Sequence, residues 1–334
     1  MTEVVLIGLG GIGRSVAEAI LQGTFPLKLV AAVDSHPELA GRPMRDILGP
    51  AAPRTPVAAD LAQLRPMFVG APGPAVAIVT TGSRLPGVSE TLMQCAGLGL
   101  HAVSSCEELV FPQHRHPALA GRLNDVAGQH NVAILGTGIN PGFAMDALAL
   151  CMTSVCSRVQ QVHCVRSLDA GRRREQLQKK IGAGLPQAEI IAAIERQQLG
   201  HVGLAESVAL LGAGLGWNLE NVEESFEPVF AQSDYAGAMA IAAGHALGMH
   251  MTARGVCGKR KVIELELTMA FGAETFDAVY ISGTPPVSLR VDGGLPGDVS
   301  TVNLLANAAC AISALPPGLR TMLDLFPLRC HGGR

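Results

Sequence analysis

Aromatic residues are scarce in this 334-residue chain: one Trp, two Tyr and nine Phe make up 4% of it. Charge is scarce as well, at 16% against 48% hydrophobic residues, which excludes a disordered chain and leaves ample material for a core. A formal net charge of −3, with Lys and Arg scattered, offers nucleic acid no basic surface, so none is expected as a partner. The short basic stretches Arg172-Arg173-Arg174 and Lys259-Arg260-Lys261 read as a solvated face and a hairpin turn. No apolar run approaches the roughly 20 residues that span a bilayer, so no membrane segment is expected. A strand at the very start leaves no room for a signal peptide. The cysteines form no CxxC pair and no regular framework, so they are expected as reduced, mostly buried thiols in a cytoplasmic protein. The histidines lack metal-ligand spacing: His245 and His250 miss a common helical face, His114 and His116 flank an arginine, and HExxH is absent. No metal is expected.

What is present is a glycine-punctuated alternation of apolar runs and helices. Thr2–Ile7 is a β-rich apolar run that breaks at Gly8-Leu9-Gly10-Gly11-Ile12-Gly13. Arg14 to Leu21 then has helical spacing, and a second apolar run, Leu27 to Val33, ends on Asp34. In this order Gly8 permits the tight turn, Gly10 lets backbone approach a pyrophosphate, and Gly13 lets the helix lie close to the strand. Free N–H groups at the helix start hold the phosphates. Asp34 stands about 20 residues beyond the glycines, where an acid accepts hydrogen bonds from the adenosine ribose. Framed by two strands and followed by the acid, the glycines point to a dinucleotide cofactor. Asp34 leans toward NAD by repelling a 2′-phosphate. Ser35, His36 and nearby Arg42 leave NADP, or use of both cofactors, open.

The alternation continues through strands at 75–80, 101–105 and 132–135 and helices at 87–98, 117–130 and 143–150, with Pro72-Gly73-Pro74 opening the first of these strands. Repeated βα units mean an α/β fold with a doubly wound parallel sheet. Ligands of such sheets bind outside the carboxyl ends of the strands, so the loops at 8–13, 80–83, 105–108 and 136–143 are expected to line one cleft. From about residue 155 the texture changes. Val159–Arg166, a hairpin of Met249–Val256 and Lys261–Phe271, and an extended stretch Tyr280–Val291 read as a mixed sheet. The length suits two domains. A dinucleotide-binding domain is expected at 1–150, completed by a returning helical segment within 297–334. A second, α+β domain is expected at 151–296.

Two loop ends can carry chemistry. Ser105-Cys106-Glu107-Glu108 places consecutive acids at a strand end, where one can face the cofactor while the other caps a helix. A carboxylate there suits a cationic amine: it binds the ammonium form and accepts its proton. Asn140-Pro141-Gly142-Phe143 offers an amide, a stiff turn and a close approach, where a substrate has to lie. Gln178-Lys179-Lys180-Ile181-Gly182-Ala183-Gly184-Leu185 reads as an exposed basic loop, or as a contact for a substrate carboxylate or a phosphate.

The combination GLGGIGR (8–14), SSCEEL (104–109), GTGINPGFAMD (136–146), QKKIGAGL (178–185), HVGLAES (201–207) and GDVSTVNLLANA (297–308) resembles the 2,4-diaminopentanoate dehydrogenase family and its native amine dehydrogenase relatives. These are similar in fold to dihydrodipicolinate reductase, whose own histidine-pair and lysine motif is absent here. The resemblance implies a Rossmann domain, an α+β substrate and dimerisation domain, and a homodimer. It also implies NAD(P)-dependent oxidative deamination of an amine, reversible as reductive amination of a ketone or aldehyde with ammonia. Carried onto matching positions, Glu107 and Glu108 supply the proton-handling carboxylate, and Asn140, Pro141, Gly142 and Phe143 border the substrate. Gly8, Gly10, Gly11, Ile12, Gly13, Asp34, Ser35, Thr80, Thr81 and Asn140 are the residues expected against the cofactor. The rival readings are an amino-acid or homoserine-type dehydrogenase on the same scaffold, and a nucleotide-sensing protein without turnover.

Overall fold

A computed structural model describes residues 1–68, 75–173, 175–196, 198–325, 328–329 and 331. Pro72-Gly73-Pro74 and Arg174 lie outside the described residues. In chain order the strands are β1 (Thr2–Ile7), β2 (Leu27–Val33), β3 (Ala75–Val79), β4 (His101–Ser104), β5 (Ala133–Gly136), β6 (Arg158–Asp169), β7 (Asn221–Phe230), β8 (Tyr235–Ala236), β9 (Ala240–Ile241), β10 (Ala246–Cys257), β11 (Arg260–Ala270), β12 (Phe276–Thr284), β13 (Val287–Asp292) and β14 (Gly318–Arg320). Among the described residues no helix is long and apolar enough to cross a membrane.

The chain divides into two compact units, Met1–Phe143 with Pro296–Arg334, and Ala144–Leu295. The first holds a six-stranded sheet of order β14-β5-β4-β3-β1-β2, with every pairing parallel. Both faces are covered. Val5, Ile7, Val79, Leu92, Leu123 and Ile134 form one core layer. On the other side of β1, Val4 and Leu6 are buried, and the helix Gly11–Leu21 packs on the returning helix Gly297–Ala311. Burial on both faces is why these strands read as unbroken apolar runs. The direction of strand addition reverses between β1 and β3, which is the switch point where such sheets bind ligands.

The second unit is built on a mixed sheet of order β13-β12-β6-β11-β10-β7, in which β6 and β11 run parallel and the other pairs antiparallel. Ile263, Leu265 and Leu267 are buried on one face of β11, while Glu264, Glu266 and Thr268 are partly exposed on the other. The helix Leu204–Gly214 packs against β7, β10 and β11. The division falls at 143/144, ahead of the expected 150/151. The segment expected as a helix over 143–150 is turn until Asp146, whose side chain caps the helix Ala147–Thr153, and that helix packs on Leu204–Gly214 and β6. The stretch Tyr280–Val291 is two strands, β12 and β13, separated at Pro285-Pro286.

A buried ion pair fastens the end of the second unit. Arg166 Nη1 lies 2.5 Å from Asp277 Oδ1, Arg166 Nη2 donates to Leu295 O at 2.8 Å, and Leu295 N–H donates to Asp277 Oδ2 at 2.7 Å. Removing one partner strands the other as an unpaired buried charge. Asp277→Ala is expected to cost about 3–5 kcal/mol, read as a lowered urea midpoint by circular dichroism.

Candidate active site

β1 ends at Ile7, and the chain turns at Gly8 with φ +92°, a region that favours glycine. At Gly13 a Cβ would come 1.9 Å from Gly8 O and 2.9 Å from Thr80 Oγ1, so no side chain fits between helix and loop. At Gly10 nothing lies within 4 Å of the corresponding position, and Gly10 and Gly11 are exposed while Ile12 is half-buried. The helix Gly11–Leu21 has no side-chain cap, so its first N–H groups are available to an anion. An approachable loop, uncapped amides and a neighbouring acid fit a dinucleotide pyrophosphate and ribose.

That acid, Asp34, is half-buried at the end of β2. Its Oδ2 accepts the Leu9 N–H at 2.7 Å and its Oδ1 accepts the His36 N–H at 2.9 Å, so it braces the glycine loop from the next strand. Each oxygen keeps lone-pair capacity for an incoming hydroxyl. Ser35 and His36 are exposed. From the other side Thr80 secures the loop: its N–H donates to Ile7 O at 2.8 Å and its hydroxyl to Gly8 O at 2.9 Å. Thr81 is exposed beside it.

At the end of β4, Glu107–Leu109 forms a 3₁₀ turn. Glu107 is half-buried, whereas Glu108 is 2% exposed. The two acids therefore have different surroundings. Glu108 Oε2 accepts the Leu85 N–H at 2.7 Å and lies 2.8 Å from His116 Nε2, with Arg84 Nη1 3.5 Å from Oε1. Burial pushes the adjacent Cys106 thiol up to about 12, which keeps it protonated at neutral pH.

The end of β5 lies against that turn: a Cβ on Gly136 would meet Leu109 C at 2.5 Å. Thr137 N–H donates to Ser104 O at 2.9 Å, which joins the two loop ends. The Asn140-Pro141 peptide is cis, and Gly142 has φ +121°. Asn140 and Phe143 are half-buried; Pro141 and Gly142 are buried. The Ile139 N–H donates to Thr301 Oγ1 at 3.4 Å, so the returning helix braces this loop. The structure thus brings together, at the carboxyl ends of β2, β1, β3, β4 and β5, the residues Asp34, Gly8–Gly13, Thr80, Thr81, Glu107, Glu108 and Asn140–Phe143. The lysines expected in a basic loop lie in the second unit on a short helix, Glu175–Lys180, where Lys179 pairs with Glu175 one turn away at 2.7 Å and Gln178 Nε2 donates to Ala170 O and Arg173 O.

Sequence reasoning missed Arg84, Leu85, His116, Thr137 and Thr301. Thr137 is buried, and its Oγ1 has no hydrogen-bond partner among the described residues. His116 carried one local signal, its place directly before Pro117 at the start of a helix. Ligand atoms of His163, Glu264 and Glu266 lie within 4.8 Å of one another in the second unit. They are engaged within the protein, His163 Nε2 with Glu266 Oε1 and Arg254 Nε with Glu264 Oε1, each at 2.7 Å.

The family described as 2,4-diaminopentanoate dehydrogenase C-terminal domain matches residues 143–332. The chain belongs to this family. It is similar to the 2,4-diaminopentanoate dehydrogenase of Acetoanaerobium sticklandii, with 30% identity over 234 residues, covering 68% of this chain and 66% of that protein. The aligned part thus spans just under two thirds of the relative. Among solved structures, an amine dehydrogenase from Mycobacterium smegmatis matches with a TM-score of 0.83 and 21% identity, over 98% of this chain and 97% of that one. The WlbA dehydrogenase from Thermus thermophilus, solved in complex with NAD and UDP-GlcNAcA, matches with a TM-score of 0.50 and 14% identity, over 98% and 99% of the two chains. At these identities the two structures share the Rossmann-type fold, a parallel sheet with a second mixed sheet.

Proposed function

We propose that this member of the family is an NAD(P)-dependent amine dehydrogenase. It converts a primary amine and water reversibly into a carbonyl compound and ammonia. The observation that carries the reading is the half-buried Glu107 at the end of β4, separated by one strand from the glycine loop of β1. The name of the relative from A. sticklandii supports it. Gly8, Gly10–Gly13 and Asp34 hold the dinucleotide, with Thr80 and Thr81 beside the loop. When bound, it supplies the hydride acceptor in deamination and the donor in amination.

Glu107 binds the ammonium form of the amine and takes its proton, which frees the nitrogen lone pair for expulsion of hydride from the neighbouring carbon. That proton passes to solvent, and the regenerated carboxylate takes a proton from water as it adds to the iminium carbon; it returns this proton to the amino nitrogen, which leaves as ammonia while the hydroxyl proton of the carbinolamine passes to solvent. In the amination direction it holds ammonia and protonates the leaving hydroxyl. Asn140, Pro141, Gly142 and Phe143 border the substrate. Asp34 favours NAD, while exposed Ser35 and His36 leave space for NADP.

We assign the protein to the cytoplasm, because Cys95, Cys106 and Cys164 are buried free thiols suited to a reducing compartment. It acts as a homodimer through the second unit, where a second copy would cover the partly exposed sheet face of Glu264, Glu266 and Thr268. The deciding test is a panel of ketones and aldehydes with NADH or NADPH. Cofactor consumption that depends on ammonia is expected. Turnover without ammonia, as from a hydroxyl-forming dehydrogenase, or no turnover with tight cofactor binding, overturns the proposal.

A further inference from the structure

We propose that Glu108 is a positioning residue that sets the geometry of Glu107 through the turn they share; this rests on the reading of Glu107 as the proton-handling group. The Glu108 side chain is 3% exposed, and a polar group so deep needs hydrogen-bond partners around it. Its donors come from two other segments. Arg84 and the Leu85 N–H belong to the loop and helix start after β3, and His116 directly precedes the helix Pro117–Gln129. The backbone is tied to the first of these segments as well: Glu108 N–H donates to Ser83 O at 3.2 Å, and Cys106 Sγ donates to the same oxygen at 3.3 Å. Gly136, without a Cβ, lets the β5 end close over Leu109.

A single buried carboxylate thus joins the ends of β3 and β4 to the start of the following helix. Its oxygens are occupied by protein donors, so its contribution to chemistry runs through its neighbour. In a 3₁₀ turn consecutive side chains point about 120° apart. Anchoring Glu108 inward therefore fixes where the Glu107 side chain leaves the turn.

The test is a double-mutant cycle with Glu108→Ala and Glu107→Asp, which retains a carboxylate on a shorter stem. In the native background Glu108→Ala is expected to lower kcat on the order of 10–100-fold, the cost of a misplaced catalytic group, with the KM for cofactor within about twofold. In the Glu107→Asp background, where the carboxylate is already displaced, the added loss is expected to shrink to within about threefold. Glu108→Gln keeps the shape and an acceptor for the Leu85 N–H, and is expected to restore kcat to within about threefold of native. It also serves as the readout should Glu108→Ala fail to fold. Equal losses in both Glu107 backgrounds, or no rescue by Gln in a folded protein, overturn the proposal. Full activity in Glu107→Asp and Glu107→Gln alike instead overturns the underlying reading of Glu107.

Discussion

Glu107→Gln is expected to lower kcat for amine oxidation by about 10²–10⁴-fold, the usual contribution of a positioned acid–base group. The substituted amide keeps the size and hydrogen-bonding reach of the carboxylate but has no basic oxygen to take the ammonium proton. Binding of the reduced cofactor, followed by its fluorescence, is expected to stay within about twofold, because no glycine-loop contact changes. The comparison with Glu108→Gln discriminates the two acids. Glu108 lies among Leu85, His116 and Arg84, and Gln keeps its shape and an acceptor there, so Glu108→Gln is expected to hold kcat within about threefold of native. A native rate in Glu107→Gln together with a dead, folded Glu108→Gln enzyme reverses the assignment.

The second large effect is expected at the glycine loop, where two neighbouring glycines serve different purposes. Gly13→Ala places a methyl 1.9 Å from Gly8 O, inside any allowed contact, so the helix start and loop have to move apart. A loss of about 1–3 kcal/mol in stability is expected from this overpacking, along with at least about tenfold weaker cofactor binding, since the amides no longer converge on the phosphates. Gly10→Ala is the contrast. Nothing lies within 4 Å of its new Cβ, and its φ of −71° suits alanine. Its stability is expected within about 0.5 kcal/mol of native, while cofactor affinity falls because the methyl occupies the space left for the pyrophosphate. Calorimetric titration with NAD(H), alongside urea unfolding, separates the two outcomes. Equal stability losses in both variants contradict the division of labour.

Much of the first unit is legible locally. The runs at 2–7, 27–33 and 75–80 are apolar at nearly every position because the sheet is buried on both faces, and the glycines between them mark turns no other residue makes. The second unit is less legible for equally physical reasons. β7 escapes notice because it lies at a sheet edge and carries Glu223, Glu224, Glu227 and Pro228, the residue types that guard such edges. Pro141 and Gly142 delay the next helix to Ala147, where Asp146 caps it through a bond at 2.6 Å. Thr301 is invisible as a loop brace, since its partner Ile139 is far away in the chain.

The amino-acid sequence by itself determined the strand–glycine–helix–strand–acid order, the pairing of acids at 107 and 108, and the polar loop at 136–143, because each depends on neighbours within one or two elements. Only the tertiary structure shows that the two glutamates differ in burial, Glu107 half-buried and Glu108 buried. A carboxylate's role depends on the donors around it, and those of Glu108 come from Arg84, Leu85 and His116, which the folding of β3, β4 and the helix Pro117–Gln129 brings to one point.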